Sequence, residues 1–331
     1  MKKLQILIPQ YNETEEIIKP LLDSIELQQN VDLKNDISVI ICNGGSNIHL
    51  NKEFLDKYSF DIEYYINSQE TVSKTRNACL DHATAEYVMF CDADDIFFNM
   101  CGLWVILREC SIGFDSLVSM FREESRHPQT KEVVYINHEM DSTFVHGKVH
   151  RRKYLLENNI RWDDNLSIHE DSYFNILCQK LSQNVKYCST PFYLWKWRDE
   201  SVCRNDFKYI LKTYNNMLDS STALVEQFLK RNKLQDAQFY ATMMVYDAYF
   251  TMNKKEWIEQ ENKQYRKNTE LRFKDYYLKF RWLVENISDE LKAQILQGLR
   301  NRFYAEGLLM ETVTFNNWIE HVLKLEGDKT K

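Results

Sequence analysis

The chain has 331 residues, 44% hydrophobic and 27% charged, a balance that fits a globular protein and excludes a disordered or fibrous one. Its formal net charge of −7 speaks against a general polyanion binder. No stretch reaches the roughly 20 consecutive apolar residues of a membrane span, and the apolar run behind Met1-Lys2-Lys3 stops at Pro9, too short for a secretion signal.

Eight cysteines lack any Cys-x-x-Cys spacing and read as reduced core residues, so the expectation is a cytoplasmic protein. Leu4 to Pro9 is a short buried strand ending in the polar elbow Gln10-Tyr11-Asn12-Glu13. Thr14 is placed to cap a helix whose apolar positions Ile17, Ile18, Leu21, Leu22 and Ile25 recur at helical spacing. Ile37 to Cys42 is a second buried strand, closed by Asn43-Gly44-Gly45-Ser46, and Phe60 to Ile66 a third. A helix is predicted from Val72 to Ala83, then a strand from Tyr87 to Cys91. This order with short connections predicts an α/β protein with a parallel sheet, whose ligand crevice lies beyond the carboxyl ends of its strands.

Cys101 to Cys110 looks helical, and Ser116–Phe121 and Glu132–Asn137 read as strands joined by a polar loop, Arg122–Lys131. A helix is expected from about Glu170, and Val185–Cys188 and Phe192–Trp197 read as closing strands. Beyond about Asn205 the pattern is helical nearly throughout, which predicts a main domain over 1–204 and a helical domain over 205–331.

The chemistry concentrates where the strand Tyr87–Cys91 runs into Asp92, Asp94 and Asp95. Carboxylates crowded at the end of an apolar strand repel one another, and a divalent cation with oxygen ligands relieves that repulsion. A solvated acidic turn or a helix cap is the alternative reading of so short a motif.

Six segments carry a resemblance: IPQYNE (8–13), ICNGGS (41–46), SKTRNACLDHATAEYVMFCDADD (73–95), HGKVHRRKYL (146–155), HEDSYF (169–174) and YLWKWRDESV (193–202). They occur in the order found in family 2 glycosyltransferases, which residues 1–204 resemble. The resemblance implies the GT-A fold, a Rossmann-like, mostly parallel sheet flanked by helices. It also implies a nucleotide-diphosphate-sugar donor, with a UDP-sugar expected, Mn²⁺ or Mg²⁺, and transfer to an acceptor hydroxyl with inversion. Asp94 becomes the direct metal ligand, with Asp92 on the metal or the ribose. Pro9, Tyr11 and Glu13 hold the nucleoside, Asp95 binds the donor sugar, Ala93 is part of the nucleotide-sugar site, and Arg76 and Asn77 approach the diphosphate. Asp171 is the implied base, supported by Glu170. Lys148 lines the donor and acceptor site, and Arg204 is an implied phosphate ligand in a closing loop. Asn43 stands where relatives usually carry a uracil-reading Asp, a departure that puts uracil preference in question.

The acceptor is left open between a glycan, a polymer and a modified DNA base. Residues 253–282 hold nine Lys/Arg, five Asp/Glu and seven aromatics, a pattern that suits either a nucleic-acid-binding stretch or an amphipathic helix pair. The helical domain is assigned to acceptor binding or oligomerisation. A nucleotide-sugar-binding module without catalysis is the rival, prompted by Asn43-Gly44. A nucleotidyltransferase is a second, and the absence of glycine from IPQYNE argues against it.

Overall fold

The computed structural model describes residues 2–68, 71–127, 129–198, 207–259, 262–305 and 313–326. The chain forms two compact units, 1–201 and 202–331.

The first unit opens with β1 (Leu4–Gln10), α1 (Glu15–Glu26), the one-turn helix α2 (Leu33–Asp36), β2 (Ile37–Asn43), the one-turn helix α3 (Lys52–Leu55) and β3 (Asp61–Ile66). It continues through α4 (Val72–His82), β4 (Tyr87–Phe90), the short β5 (Ile96–Phe97), α5 (Gly102–Ile112) and β6 (Ser116–Arg126). β7 (Val133–His138), β8 (Lys148–Arg151), α6 (Arg152–Glu157), α7 (Glu170–Leu181) and β9 (Val185–Trp195) complete it. The strand order is β3-β2-β1-β4-β8-β6-β9-β5, with β7 paired to β6.

β1, β2, β3 and β4 run parallel, as their order in the sequence predicts, and β8 turns the sheet mixed by pairing antiparallel to both β4 and β6. β1, β2 and β4 are covered on both faces, which is why they read as unbroken apolar runs. α1 buries Ile18, Leu21, Leu22 and Ile25, the predicted stripe, against this sheet core. Thr14 occupies the N-cap position of α1, but its hydroxyl donates to Glu16 instead of accepting from the helix backbone.

Two expectations change. The predicted polar loop from Arg122 is strand as far as Arg126, because those residues pair in register with β7. The two closing strands are one, β9, which runs through Pro191 and pairs with β6 across a bulge between Ser119 and Phe121.

The second unit contains α8 (Phe207–Lys230), α9 (Leu234–Met252), the one-turn α10 (Lys255–Ile258), α11 (Lys263–Glu285), α12 (Asp289–Ala305) and α13 (Phe315–Leu323). Within 253–282, Trp257, Phe273, Tyr276, Tyr277 and Phe280 are buried, so most aromatics of this basic stretch belong to the helical core. Several of its cations are paired: Arg266 with Glu270, Arg281 with Glu285, Arg272 with Asp219 and Lys279 with Glu226. Among the described residues no helix is long and apolar enough to cross a membrane.

Candidate active site

The carboxyl ends of β1, β2 and β4 deliver Gln10, Asn43 and the Asp92–Asp95 turn to one edge of the sheet. α4 meets this edge with an inward face that is polar: Ser73, Thr75, Arg76 and Asn77 are all buried. A helix that buries polar groups must pair them: Ser73 Oγ donates to the Leu166 carbonyl and Thr75 Oγ1 to the Thr71 carbonyl.

Arg76 is the hub. Its guanidinium donates to Glu170 Oε1 at 2.7 Å and to Asp92 Oδ1 at 2.9 Å, and it lies 4.5 Å from the ring centre of Trp162. Trp162 in turn stacks on Phe174 at 4.1 Å. One cation thus joins the acidic turn after β4 to the start of α7. Asn77 fixes the loop leading there. Its Oδ1 accepts from the Trp162 amide, while its Nδ2 donates to the Trp162 carbonyl and to Asp164. The side chain thereby anchors the 162–164 segment to α4.

Asn43 is also turned inward. Its Oδ1 accepts from the Gly45 and Ser46 amides, and its Nδ2 donates to the carbonyls of Ser46 and Ile48 and to Tyr64 Oη. The side chain is fully buried. These bonds tie the side chain to its own 43–46 loop. Gly44 follows because α4 comes close: a Cβ there would lie 2.5 Å from Thr75 Oγ1.

The three aspartates sit in different environments. Asp95 is buried, accepts from Tyr193 Oη at 2.7 Å and from the Lys196 amide at 2.9 Å, and lies 3.5 Å from His146 Nδ1. Burial, reinforced by the charges of Asp94 and Asp92, pushes its carboxyl well above the usual range. It is no helix cap. Asp94 is partly exposed and accepts from Arg198 at 2.8 Å. Glu13 lies 3.8 Å from the same arginine nitrogen and accepts from the Tyr11 amide, while Tyr11 is 45% exposed. Pro9 precedes this elbow at the end of β1, and Ala93 is the buried apolar member of the acidic turn.

Asp92, Asp95 and His146 offer ligand atoms within 4.8 Å of one another. The carboxylate oxygens suit Mn²⁺ or Mg²⁺, and an imidazole ligand would favour Mn²⁺ over Mg²⁺. His146, whose role the sequence left open, packs against the rings of Tyr193 and Trp195.

Asp171 opens α7 beside Glu170. The turn that aims both carboxyls is made by His169, which holds the left-handed conformation at φ 63°. Loss of hydration, with the neighbouring Glu170 charge and against the pull of Arg76, raises the Asp171 carboxyl to about 7. Lys148 is fully buried on β8, donates to the His146 carbonyl at 3.4 Å and lies 3.9 Å from Asp141. Burial lowers its ammonium to about 8 against the opposing charges of Asp141 and Asp171. Gly147 makes the turn into β8 at φ 68°, with its carbonyl accepting from Ser119 Oγ. Arg204 lies outside the described residues.

The family model described as Glycosyl transferase family 2 matches residues 5–101, the span holding β1 to β4 and the acidic turn. This chain carries a family 2 glycosyltransferase domain. The curated relative poly(ribitol-phosphate) beta-N-acetylglucosaminyltransferase TarS of Staphylococcus aureus is 22% identical over 214 residues, 60% of this chain. The match takes in 36% of that relative, so the chain spans about a third of its length. Among solved structures, S. aureus TarS 1–349 is similar at a TM-score of 0.63 and 16% identity, over 93% of each chain. Its complex with UDP-GlcNAc gives 0.65 and 15% identity, again over 93% of each. At these identities the likeness establishes the fold. The glycosyltransferase domain has the GT-A architecture that its sequence implies, with a helical region following it.

Proposed function

We propose that the domain transfers one sugar from a nucleotide-diphosphate donor, a UDP-sugar, to a hydroxyl of a glycan or polyol polymer, with inversion at the sugar carbon. The observation that carries this reading is Asp171. Its carboxyl is held near 7 at the start of α7 and is tied through Glu170 and Arg76 to the acidic turn after β4. A direct displacement needs one carboxylate that takes the acceptor proton while the donor's diphosphate departs, and a base poised near neutral pH meets that need. Glu170, occupied by Arg76, serves as the fixed neighbour that keeps Asp171 basic.

Asp92 and Asp94 are the residues that would hold Mn²⁺ or Mg²⁺, with ligand atoms of Asp95 and His146 within 4.8 Å of one on Asp92. Asp95 already accepts two hydrogen bonds, which favours its partly exposed neighbours as direct ligands. Bound there, the cation would offset the charge that builds on the departing diphosphate. Arg76 and Arg198 supply fixed positive charge at the same edge. The donor assignment draws support from the S. aureus relative, solved with UDP and with UDP-GlcNAc. The acceptor assignment draws support from the polymer in that relative's name. A DNA acceptor is the weaker reading, since the tail aromatics that would stack on bases are mostly buried.

The test is sugar transfer from a panel of UDP- and GDP-sugars with Mn²⁺, comparing the wild type with Asp171→Asn and Asp94→Ala. Asp171→Asn should bind UDP as the wild type does and lose most turnover. Asp94→Ala should lose the response to metal. A fully active Asp171→Asn would remove Asp171 as the base, and no binding of any nucleotide to the wild type would overturn the whole reading.

A further inference from the structure

Arg198, three residues beyond β9, donates to Asp94 Oδ2 at 2.8 Å and lies 3.8 Å from Glu13 Oε1. One guanidinium therefore stands against two carboxylates of the elbow and the acidic turn. Asp94 is the residue assigned above to the metal, and Glu13 the one expected at the nucleoside. They lie in the segments that follow two different strands, β1 and β4, so their convergence on one cation is a feature of the site and not of local sequence.

We propose that Arg198 is a positioning residue that holds the place of the cation until donor arrives, and so makes metal and nucleotide binding mutually dependent. This rests on the reading of the site as one for a nucleoside diphosphate and a divalent cation. A metal ion binding alone must displace Arg198 from Asp94, leaving the guanidinium without that partner. A diphosphate binding alone draws Arg198 away, since its planar fork pairs well with phosphate oxygens, and leaves Asp94 uncompensated beside an anion. When both bind, Arg198 turns to the phosphates and the metal takes Asp94. Each ligand then finds its site made by the other, and linkage requires the effect to be reciprocal.

The latch is weak by construction. Arg198 is 37% exposed and Asp94 25%, and a partly exposed ion pair contributes little. Removing it should therefore tighten Mn²⁺ binding by only roughly 2- to 5-fold. That is enough to favour the donor complex without blocking the metal outright.

The experiment is calorimetric titration of Mn²⁺ alone, UDP alone and Mn²⁺ with UDP present, on the full chain and on Arg198→Gln and Arg198→Lys. Thermal melts would verify that each variant folds. In the wild type, UDP should strengthen Mn²⁺ binding, and Mn²⁺ should strengthen UDP binding equally. Arg198→Gln should bind Mn²⁺ more tightly without UDP, and the gain on adding UDP should shrink. Arg198→Lys, which keeps the charge but not the fork, should fall between the two. A merely structural arginine would not tighten metal binding when removed. Unchanged Mn²⁺ affinity and unchanged coupling in a folded Arg198→Gln would overturn the latch and leave the glycosyltransferase reading standing. A wild type that binds neither UDP nor Mn²⁺ would overturn both.

Discussion

Arg76 and Glu170 stand 94 positions apart in the chain and 2.7 Å apart in space. With Asp92 on its other nitrogen, Arg76 forms a buried bridge between α4, α7 and the acidic turn. Removing this buried cation leaves Glu170, which is nearly buried, and the partly exposed Asp92 without compensation. Arg76→Ala should therefore cost about 3–5 kcal/mol of stability. It should also raise the Asp171 carboxyl, since Arg76 is what pulls it down. Denaturant unfolding reads the first effect, and an upward-shifted pH–rate profile reads the second. A profile that stays in place would mean Arg76 is only structural.

Asp171 gives a pH dependence with a definite sign. Its folded carboxyl is raised to about 7 from an ordinary value of 3.8, so the folded state binds more protons between those limits. Stability on this account is present at low pH and is lost as pH rises through about 7, the reverse of an ordinary salt-bridged aspartate. Turnover should rise over the same interval as the base ionises. Asp171→Asn should remove both dependences, giving a protein that melts higher than the wild type above neutrality and no higher in acid. Each tenfold change in the proton affinity of a carboxyl is worth about 1.4 kcal/mol, so a gain of a few degrees in melting temperature is expected.

The substitution that restores the family's usual residue should do harm. Asn43 donates to two carbonyls and a tyrosine hydroxyl, and an aspartate there would set a buried carboxylate against the Ser46 and Ile48 carbonyls. Asn43→Asp should destabilise the loop by about 1–3 kcal/mol and weaken UDP binding. Asn43→Asp with improved UDP affinity would return this position to the base. Melting and UDP titration of the single variant suffice.

What the sequence disclosed and what it hid follow from the range of the forces involved. β1, β2 and β4 are apolar because both faces are covered, and the Asp92–Asp95 turn sits at a strand end, so both are legible in a few consecutive residues. The extension of β6 through Arg126 is not, since its polar residues are held by pairing with β7 and carry no apolar pattern. Nor are the internal uses of Asn43 and Asn77 visible, because an amide looks alike whether it meets a ligand or its own loop. Arg198 on Asp94, 104 positions away, is a contact that only the folded sheet creates.

Gly44 tests how closely the 43–46 loop must approach α4. A Cβ at this position would lie 2.5 Å from Thr75 Oγ1 and 3.6 Å from the Thr75 Cβ, so the obstacle is one hydroxyl. That hydroxyl donates to the Thr71 carbonyl within α4 and cannot swing aside without losing the bond. Gly44→Ala should push the 43–46 loop off the helix, at a cost of about 1–3 kcal/mol for overpacking, and reduce UDP affinity with it. Adding Thr75→Ala removes the clashing atom, and the double variant should recover most of the stability and the UDP binding lost by the single one. A double variant no better than Gly44→Ala would show that the glycine is needed for its backbone and not for the space beside Thr75.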